Sequence, residues 1–442
     1  MLHRKIEKEI INYLSKESNK ILIIDGARQV GKSFIIRYIG KELLKEKFTN
    51  YIELNFVEDS LNNKLFKNCN SKEDFYFKLS TIYGDKMKNK NDTLIFIDEI
   101  QEYPNFLTLL KFLNQDNKFT YICSGSLLGV TLFKTTSIPI GSIELLHMYP
   151  LDFEEFLIAN GFNDYSINIL KDKFLNKESL DESMHNKILD LFKKYLIVGG
   201  LPDSINKYLE TNNIYEIRKI QSDIINFYGG DASKYDKENK LKIKRIYDLI
   251  PSNLENKKKR VVIQNIENIK GKRYSSYEDE FEYLINSGIA LEVKAVSEPR
   301  FPLTQSFTKN LLKLYLNDVG LLTNILYKNN IKAILNDENC INLGTVYESV
   351  VASELKAHNH NLFYYDNKKT GEVDFLIDDY DNLSILPLEI KSGKDYKIHS
   401  AINNFLNNKN YNVKNGYVFS NSRKIEEINN IIYYPIYMIM FL

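Results

Sequence analysis

ILIIDGARQVGKSFIIRYI, residues 21–39, is a strand, a loop and a helix written in succession. The run Ile21 to Ile24 is short and continuously apolar, as a strand buried on both faces must be, and Phe34, Ile35, Tyr38 and Ile39 then recur at helical spacing. Between them, residues 26–33 fit G-x-x-x-x-G-K-S. In such a loop the segment Gly26, Ala27, Arg28, Gln29, Val30, Gly31, Lys32 and Ser33 wraps its amides and the helix N-terminus around the phosphates of a nucleotide. The two glycines permit the tight path, Lys32 reaches the β- and γ-phosphates, and the Ser33 hydroxyl joins the shell of Mg²⁺. A plain strand-to-helix turn with two glycines is the bland alternative; the strand and helix on either side argue for the nucleotide. ATP and Mg²⁺ are the expected ligands.

Further strands are expected at 51–56, 93–100, 118–126 and 143–148, and a leading helix over 2–16. The second of these strands, TLIFIDEI, brings Asp98 and Glu99 to a strand tip 66 residues after Lys32. In an alternating αβ pattern that places one carboxylate at the metal, with Asp98 holding Mg²⁺ through water, and the next at the γ-phosphate, with Glu99 orienting or deprotonating the attacking water. KFTYICSGS, residues 118–126, ends polar, so Ser124 or Ser126 is placed to sense the γ-phosphate. A Ser- and Gly-rich turn at a strand end reads equally well for either serine alone.

With 442 residues the chain exceeds one hydrophobic core. Its 43% hydrophobic and 26% charged residues are ordinary for a folded globular protein. Cys69, Cys123 and Cys340 are isolated, which argues for a reducing, cytoplasmic setting without a disulfide framework or a structural zinc site. No apolar run approaches the roughly 18 residues of a membrane span, so no membrane role is expected. The apolar end 431–442 reads as a packed terminal strand. His358 and His360 read as a solvated turn. The net charge of +1 gives no global case for nucleic acid, but residues 237–273 hold twelve Lys or Arg against four Asp or Glu.

GARQVGKS, LIFIDEIQEYP, YICSGS, MYPLDFEEFL at 148–157 and VGGLPDSI at 198–205 together resemble a widespread bacterial and archaeal family of AAA+ ATPases. Its members carry a C-terminal domain of unknown function that includes a restriction-endonuclease-like fold. The resemblance implies an α/β protein: a P-loop AAA+ ATPase core over 1–150, a helical lid over 151–240, a basic winged-helix-like unit over 241–310, and a nuclease-like αβ domain over 311–442. One departure stands out. Where many relatives have Gly-Arg before the last core strand, this chain has Gly141-Ser142, and no Arg occurs between Arg37 and Arg218. The cation that stabilises the transferred phosphoryl group is then expected from Lys134, from Arg218 or beyond, or from a second subunit of a homo-oligomer.

Gly199, Gly200 and Pro202 punctuate the lid as a hinge or as a helix-ending turn. In the basic unit, Ser275 and Glu278 form an expected capping box, Gly288 ends the helix, and a strand follows over 289–296. Lys257, Lys258, Lys259, Arg260, Lys270, Lys272 and Arg273 could neutralise DNA phosphates, although a charge run is also simply a solvated face.

A second constellation lies in GTVYESVVASEL, GEVDFLI and LSILPLEIKSG. On the last strand Glu389 and Lys391 share one face, Asp374 lies on the strand before it, and Glu348 sits on the preceding helix. This order resembles the PD-(D/E)xK nuclease pattern. The resemblance implies Mg²⁺ held by Asp374 and Glu389, a shell completed by Glu348, and water positioned by Lys391. A salt-bridged sheet edge is the alternative. Two functions follow: an ATPase coupling nucleotide state to DNA binding or cleavage, or an ATP-dependent switch whose inactive nuclease-like domain binds a protein partner.

Overall fold

The computed structural model describes residues 1–442 except 17, 19, 127–140, 236–239, 339–340, 368–370, 394–396, 398–399 and 409, and describes no side chain at 85, 231–235, 240, 309 or 310. Two compact units are present: Met1, His3–Tyr149 and Asn286–Gly288 in the first, and Leu2, Pro150–Ile285 and Ile289–Leu442 in the second.

The first unit is a five-stranded sheet of β1 (Ile21–Asp25), β2 (Asn50–Asn55), β3 (Thr93–Asp98), β4 (Thr120–Gly125) and β5 (Ile143–His147). The strands run in the order β2-β3-β4-β1-β5, and every pair is parallel. Parallel strands covered on both faces must be apolar throughout, and Leu94 to Ile97 are fully buried. β2 stops one residue earlier than its apolar run suggests, because Asn55 caps a helix over Phe56–Leu61 by accepting from the Glu58 amide at 3.0 Å. β4 lies between β1 and β3, with Ile24 in register with Ser124 and Ile97 with Cys123. The loop after β1, the carboxylates Asp98 and Glu99 at the end of β3 and the serines Ser124 and Ser126 at the end of β4 therefore lie side by side at one edge of the sheet. Lys134, one of the expected sources of a cation, lies outside the described residues, as does Cys340.

The second unit opens with helices Phe153–Ala159, Asp164–Leu175, Glu182–Val198, Pro202–Thr211 and Ile214–Tyr235. Gly199 ends the third of these at φ +73°, and a Cβ there would lie 2.2 Å from Asp318 Oδ1. The Gly200 amide donates to Asp318 Oδ2 at 2.6 Å, and Pro202 starts the next helix. The segment is a bonded helix-to-helix turn.

Its second layer is one mixed eight-stranded sheet: β6 (Ala290–Val296), β7 (Phe307–Leu316), β8 (Phe363–Asn367), β9 (Gly371–Asp379), β10 (Ser384–Lys391), β11 (Gly416–Ser420), β12 (Glu426–Ile428) and β13 (Ile431–Pro435), in the order β12-β13-β11-β10-β9-β8-β6-β7. The hairpin β6–β7 that the sequence assigned to a 241–310 unit is hydrogen-bonded into this sheet, with Lys294 to Val296 parallel to Phe363 to Tyr365. The strand edge is thus satisfied by β8 instead of standing beside its own helices as a wing. Ser275 is not a helix cap either. Residues Tyr274–Ser276 form a 3₁₀ turn, Tyr274 stacks on Phe281, and the helix begins at Glu278. His358 is not solvated: its two ring nitrogens meet Leu442 O at 2.7 Å and Asp152 Oδ2 at 3.3 Å.

Candidate nucleotide site and a second carboxylate cluster

Gly26 and Gly31 take φ values of +135° and +100°, and a Cβ on Gly26 would lie 2.2 Å from Met148 O. Only glycine fits at that first position. Arg4, from the leading helix region, donates to Val30 O at 2.9 Å and Tyr149 O at 2.6 Å, tying the loop backbone to the end of the sheet. Lys32 is buried and curls back, its ammonium donating to Gly26 O at 2.8 Å and Ala27 O at 2.7 Å. Burial lowers its pKa to about 8, against the opposing pull of Glu99, Asp25 and Asp98.

One helical residue on, Ser33 Oγ donates to Asp98 Oδ1 at 2.8 Å, and the Ser124 hydroxyl donates to the same oxygen. Burial raises the pKa of Asp98 while those two hydroxyls and Arg37 oppose the rise. Glu99 sits in the left-handed region at φ +55°. Its Oε2 accepts from Gln101 Nε2 and from Ser126 Oγ at 3.2 Å, and Arg28 Nε lies 3.3 Å from the same serine. Ser124 and Ser126 are thus divided between the two carboxylates, one each.

Three contributors were missed by sequence reasoning. Arg37 donates to Glu53 Oε1 at 2.6 Å and reaches Asp98 Oδ2 at 3.5 Å. The signal was available, since Arg37 follows Ser33 by four residues and so shares its helix face. Gln101, two residues beyond Glu99, lay inside a quoted motif without being given a role. Arg4 carries no sequence signal. Arg218, by contrast, is only 3% exposed and donates to Ile197 O at 3.2 Å, Gly320 O at 3.0 Å, Gln221 Oε1 at 2.9 Å and Thr323 Oγ1 at 3.1 Å. Its guanidinium is committed to the interior of the second unit, which removes it as a mobile cation.

In the second unit β9 and β10 bring Asp374, Glu389 and Lys391 together, with Glu348 supplied by helix Leu343–Ala357. Lys391 pairs with Glu389 Oε1 at 2.7 Å, and Asp374 Oδ2 accepts the Ile390 amide at 2.8 Å. Lys259 donates to Glu348 Oε1, and Tyr315 OH to Glu348 Oε2 at 3.0 Å. Among the described residues no group of three His, Cys, Asp or Glu is disposed to hold a metal ion. Asp374, Glu389 and Glu348 converge as the sequence suggested, but a lysine stands on the third carboxylate, and the donor set as arranged does not fit a divalent cation. Of the seven cations singled out for DNA, Lys259 and Arg260 turn inward, the latter onto Asp366. Lys257, Lys258, Lys270, Lys272 and Arg273 are exposed.

A parallel sheet in this strand order, a glycine-bounded loop leading into a helix, and a Ser-Asp-Glu grouping at its rim give this unit the fold of a P-loop AAA+ domain. Residues 18–157 match the family model described as an AAA domain. Residues 189–332 and 343–439 match two domains of unknown function, DUF8612 and DUF4143. No curated protein matches the chain. Solved structures similar to it include ORC1 from Aeropyrum pernix in complex with DNA, at 13% identity over 76% of this chain and 93% of that one, TM-score 0.33. DnaA from Aquifex aeolicus bound to AMPPCP is similar at 14% identity over 64% and 86%, TM-score 0.27. Cdc6p from Pyrobaculum aerophilum is similar at 13% over 75% and 93%, TM-score 0.26. Likenesses this distant say nothing of what this chain binds.

Proposed function

We propose that this chain binds and hydrolyses ATP, and that its nucleotide state governs contact between a basic surface and DNA. The observation that carries the reading is the convergence of Lys32, Ser33, Asp98 and Glu99 at one rim of the sheet, with Ser33 bonded to Asp98 at 2.8 Å. The residues fit Mg-ATP: a loop in which a side chain at Gly26 would collide, an ammonium resting on carbonyls it can leave, and a hydroxyl and a carboxylate already paired. Mg²⁺, when bound, neutralises charge on the β- and γ-phosphate oxygens. Ser33 and Asp98 are the residues that would hold it. Lys32 exchanges its two carbonyl partners for phosphate oxygens. Glu99 accepts a proton from the water that attacks the γ-phosphorus, while the bond to the β–γ bridging oxygen breaks and ADP leaves with that electron pair. Ser126 and Gln101 hold Glu99 in place for this.

Lys257, Lys258, Lys270, Lys272 and Arg273 supply the exposed charge for DNA phosphates. A second reading, in which the C-terminal domain cuts nothing and docks a protein partner under ATP control, is favoured by the lysine on Glu348. Phosphate release by the purified chain with Mg-ATP tests the primary reading: turnover in the wild type and its loss in Lys32→Ala support it, and equal release by both contradicts it. Salt-sensitive DNA binding by the full chain separates the first coupling from DNA-independent assembly on ATP, and specific activity that rises with protein concentration would mark a homo-oligomer supplying the missing cation.

A further inference from the structure

Inside the second unit, independently of the nucleotide site, five carboxylates and four cations are packed into one network. Lys313, fully buried, pairs with Glu372 at 2.6 Å; Lys391 pairs with Glu389 at 2.7 Å; Arg260 pairs with Asp366; Lys259 pairs with Glu348; and Asp374 takes a backbone amide. Three of those carboxylates, Glu348, Asp374 and Glu389, come from the helix and hairpin that the sequence marked for a metal. The charge that reaches them from outside that set comes from Lys259 and, at Asp374, also from Lys313. Burial works against the Lys259 ammonium, but Glu348 and Asp374, with Glu372 behind them, outweigh it and hold the group protonated.

The backbone is built to aim that one lysine inward. Lys257 and Lys258 of the same run are exposed, whereas Lys259 takes the left-handed region at φ +49° and closes a turn onto Asn256 O at 3.0 Å. Two residues later the Val261 amide is tied to Leu312 O of β7 at 3.1 Å. A non-glycine residue held in that region needs surroundings that enforce it. Glu389 Oε2, meanwhile, is buried without a hydrogen-bond partner, an acceptor left over once Lys391 has taken Oε1.

We propose that the Lys259 ammonium is a built-in cation that stands where the carboxylate cluster would otherwise recruit a divalent metal, so that the cluster is not a metal site while the 256–260 turn is in place. An oxygen-ligated divalent ion needs the same Glu348 and Asp374 oxygens, and the two cations exclude each other by charge as well as by space. Removing the ammonium leaves Glu348, Asp374 and the unpartnered oxygen of Glu389 as a hard-ion ligand set.

The test is Mn²⁺ uptake by the nucleotide-free full chain, read from the loss of the free-ion electron paramagnetic resonance signal, in wild type, Asp374→Asn, Lys259→Met and the double variant. Wild type and Asp374→Asn should titrate alike into the millimolar range. Lys259→Met should take up one further equivalent, at least about tenfold tighter than any site in the wild type, that the double variant lacks. Its melting temperature should be depressed in chelator and restored by Mn²⁺, with no comparable gain in the wild type. An equivalent bound by the wild type and absent from Asp374→Asn overturns the proposal, as does a folded Lys259→Met that gains no Mn²⁺. If Lys259→Met is not recovered folded, the first pair decides alone, alike titrations supporting the proposal and unlike ones ending it.

Discussion

Arg37 Nη2 lies 3.5 Å from Asp98 Oδ2, while its Nε donates to Glu53 at 2.6 Å. A chain with no arginine between Arg37 and Arg218 therefore does bring a guanidinium to the candidate nucleotide site, beside Asp98. Arg37 steers Asp98 but shares that task with the Ser33 and Ser124 hydroxyls, and its side chain is 42% exposed. Arg37→Ala is expected to lower kcat for ATP by about tenfold or less, an exposed ion pair contributing roughly 1 kcal/mol. Asp98→Asn should cost far more. Steady-state phosphate release on the two variants checks the ranking.

The position of Lys32 predicts a pH dependence. Its pKa in the free protein is lowered to about 8 by burial, and phosphate binding requires the ammonium. Bound phosphates raise that pKa, so binding takes up a proton at any pH above the free value. Affinity for ATP should be level below about pH 8 and then fall by up to about tenfold per pH unit above it. Calorimetric titration at several pH values, in buffers of different ionisation enthalpy, measures both the affinity and the proton uptake.

Arg218 should behave as a structural residue. It donates to two backbone carbonyls and two side chains from a site where burial lowers its pKa to about 10. Arg218→Met removes a buried charged donor from four acceptors, two of which, Ile197 O and Gly320 O, keep donors in Gln221 and Thr323, and should destabilise the second unit by about 2–4 kcal/mol. Turnover per folded molecule should stay within about twofold of the wild type, since a residue that supplied charge to the transition state would cost 10³ or more. Chemical denaturation and ATPase assays on the same preparation separate the two roles.

Asp374 carries the opposite sign of pH effect from an ordinary paired carboxylate. Burial, then the charges of Glu389 and Glu348, push its pKa well above the usual carboxylate range. A group whose folded pKa is raised contributes stability at low pH and loses it as pH climbs from the unfolded carboxylate value towards the folded one. Asp374→Asn, which mimics the protonated form and still accepts from the Ile390 amide, should raise the melting temperature at neutral and alkaline pH, by about 2–4 °C for each kcal/mol gained, and flatten its pH dependence. Thermal scans of both proteins across pH 5–9 provide the check.

What was legible in the sequence was whatever is encoded locally. Ile21 to Ile24 and Leu94 to Ile97 announce buried parallel strands because both faces of such a strand are covered, and the tight loop between Gly26 and Ser33 is contiguous, so it could be read without a distant partner. The rest depended on long-range pairing. Lys294 meets Phe363 across a gap that no periodicity records, which is why the β6–β7 hairpin read as a separate wing. Lys259 reaches Glu348 from 89 residues away, and a run of four cations reads as a solvated face unless its one left-handed turn is known. Two of the four acceptors on Arg218 are backbone carbonyls, which every residue offers, and the other two, on Gln221 and Thr323, follow no sequence pattern.

Glu99→Gln tests the central claim most directly, because the substitution keeps the shape of a side chain held by Ser126 and Gln101 and removes only its capacity to take a proton. The measurement is a single preparation assayed for ATP retained after rapid desalting with Mg²⁺ and for phosphate released over the following hour. An ATP hydrolase with Glu99 as its base predicts ATP retained intact at near one per chain and turnover reduced by about 10²–10⁴-fold relative to the wild type. Undiminished turnover in Glu99→Gln, or a wild type that neither retains nor cleaves ATP, would contradict it.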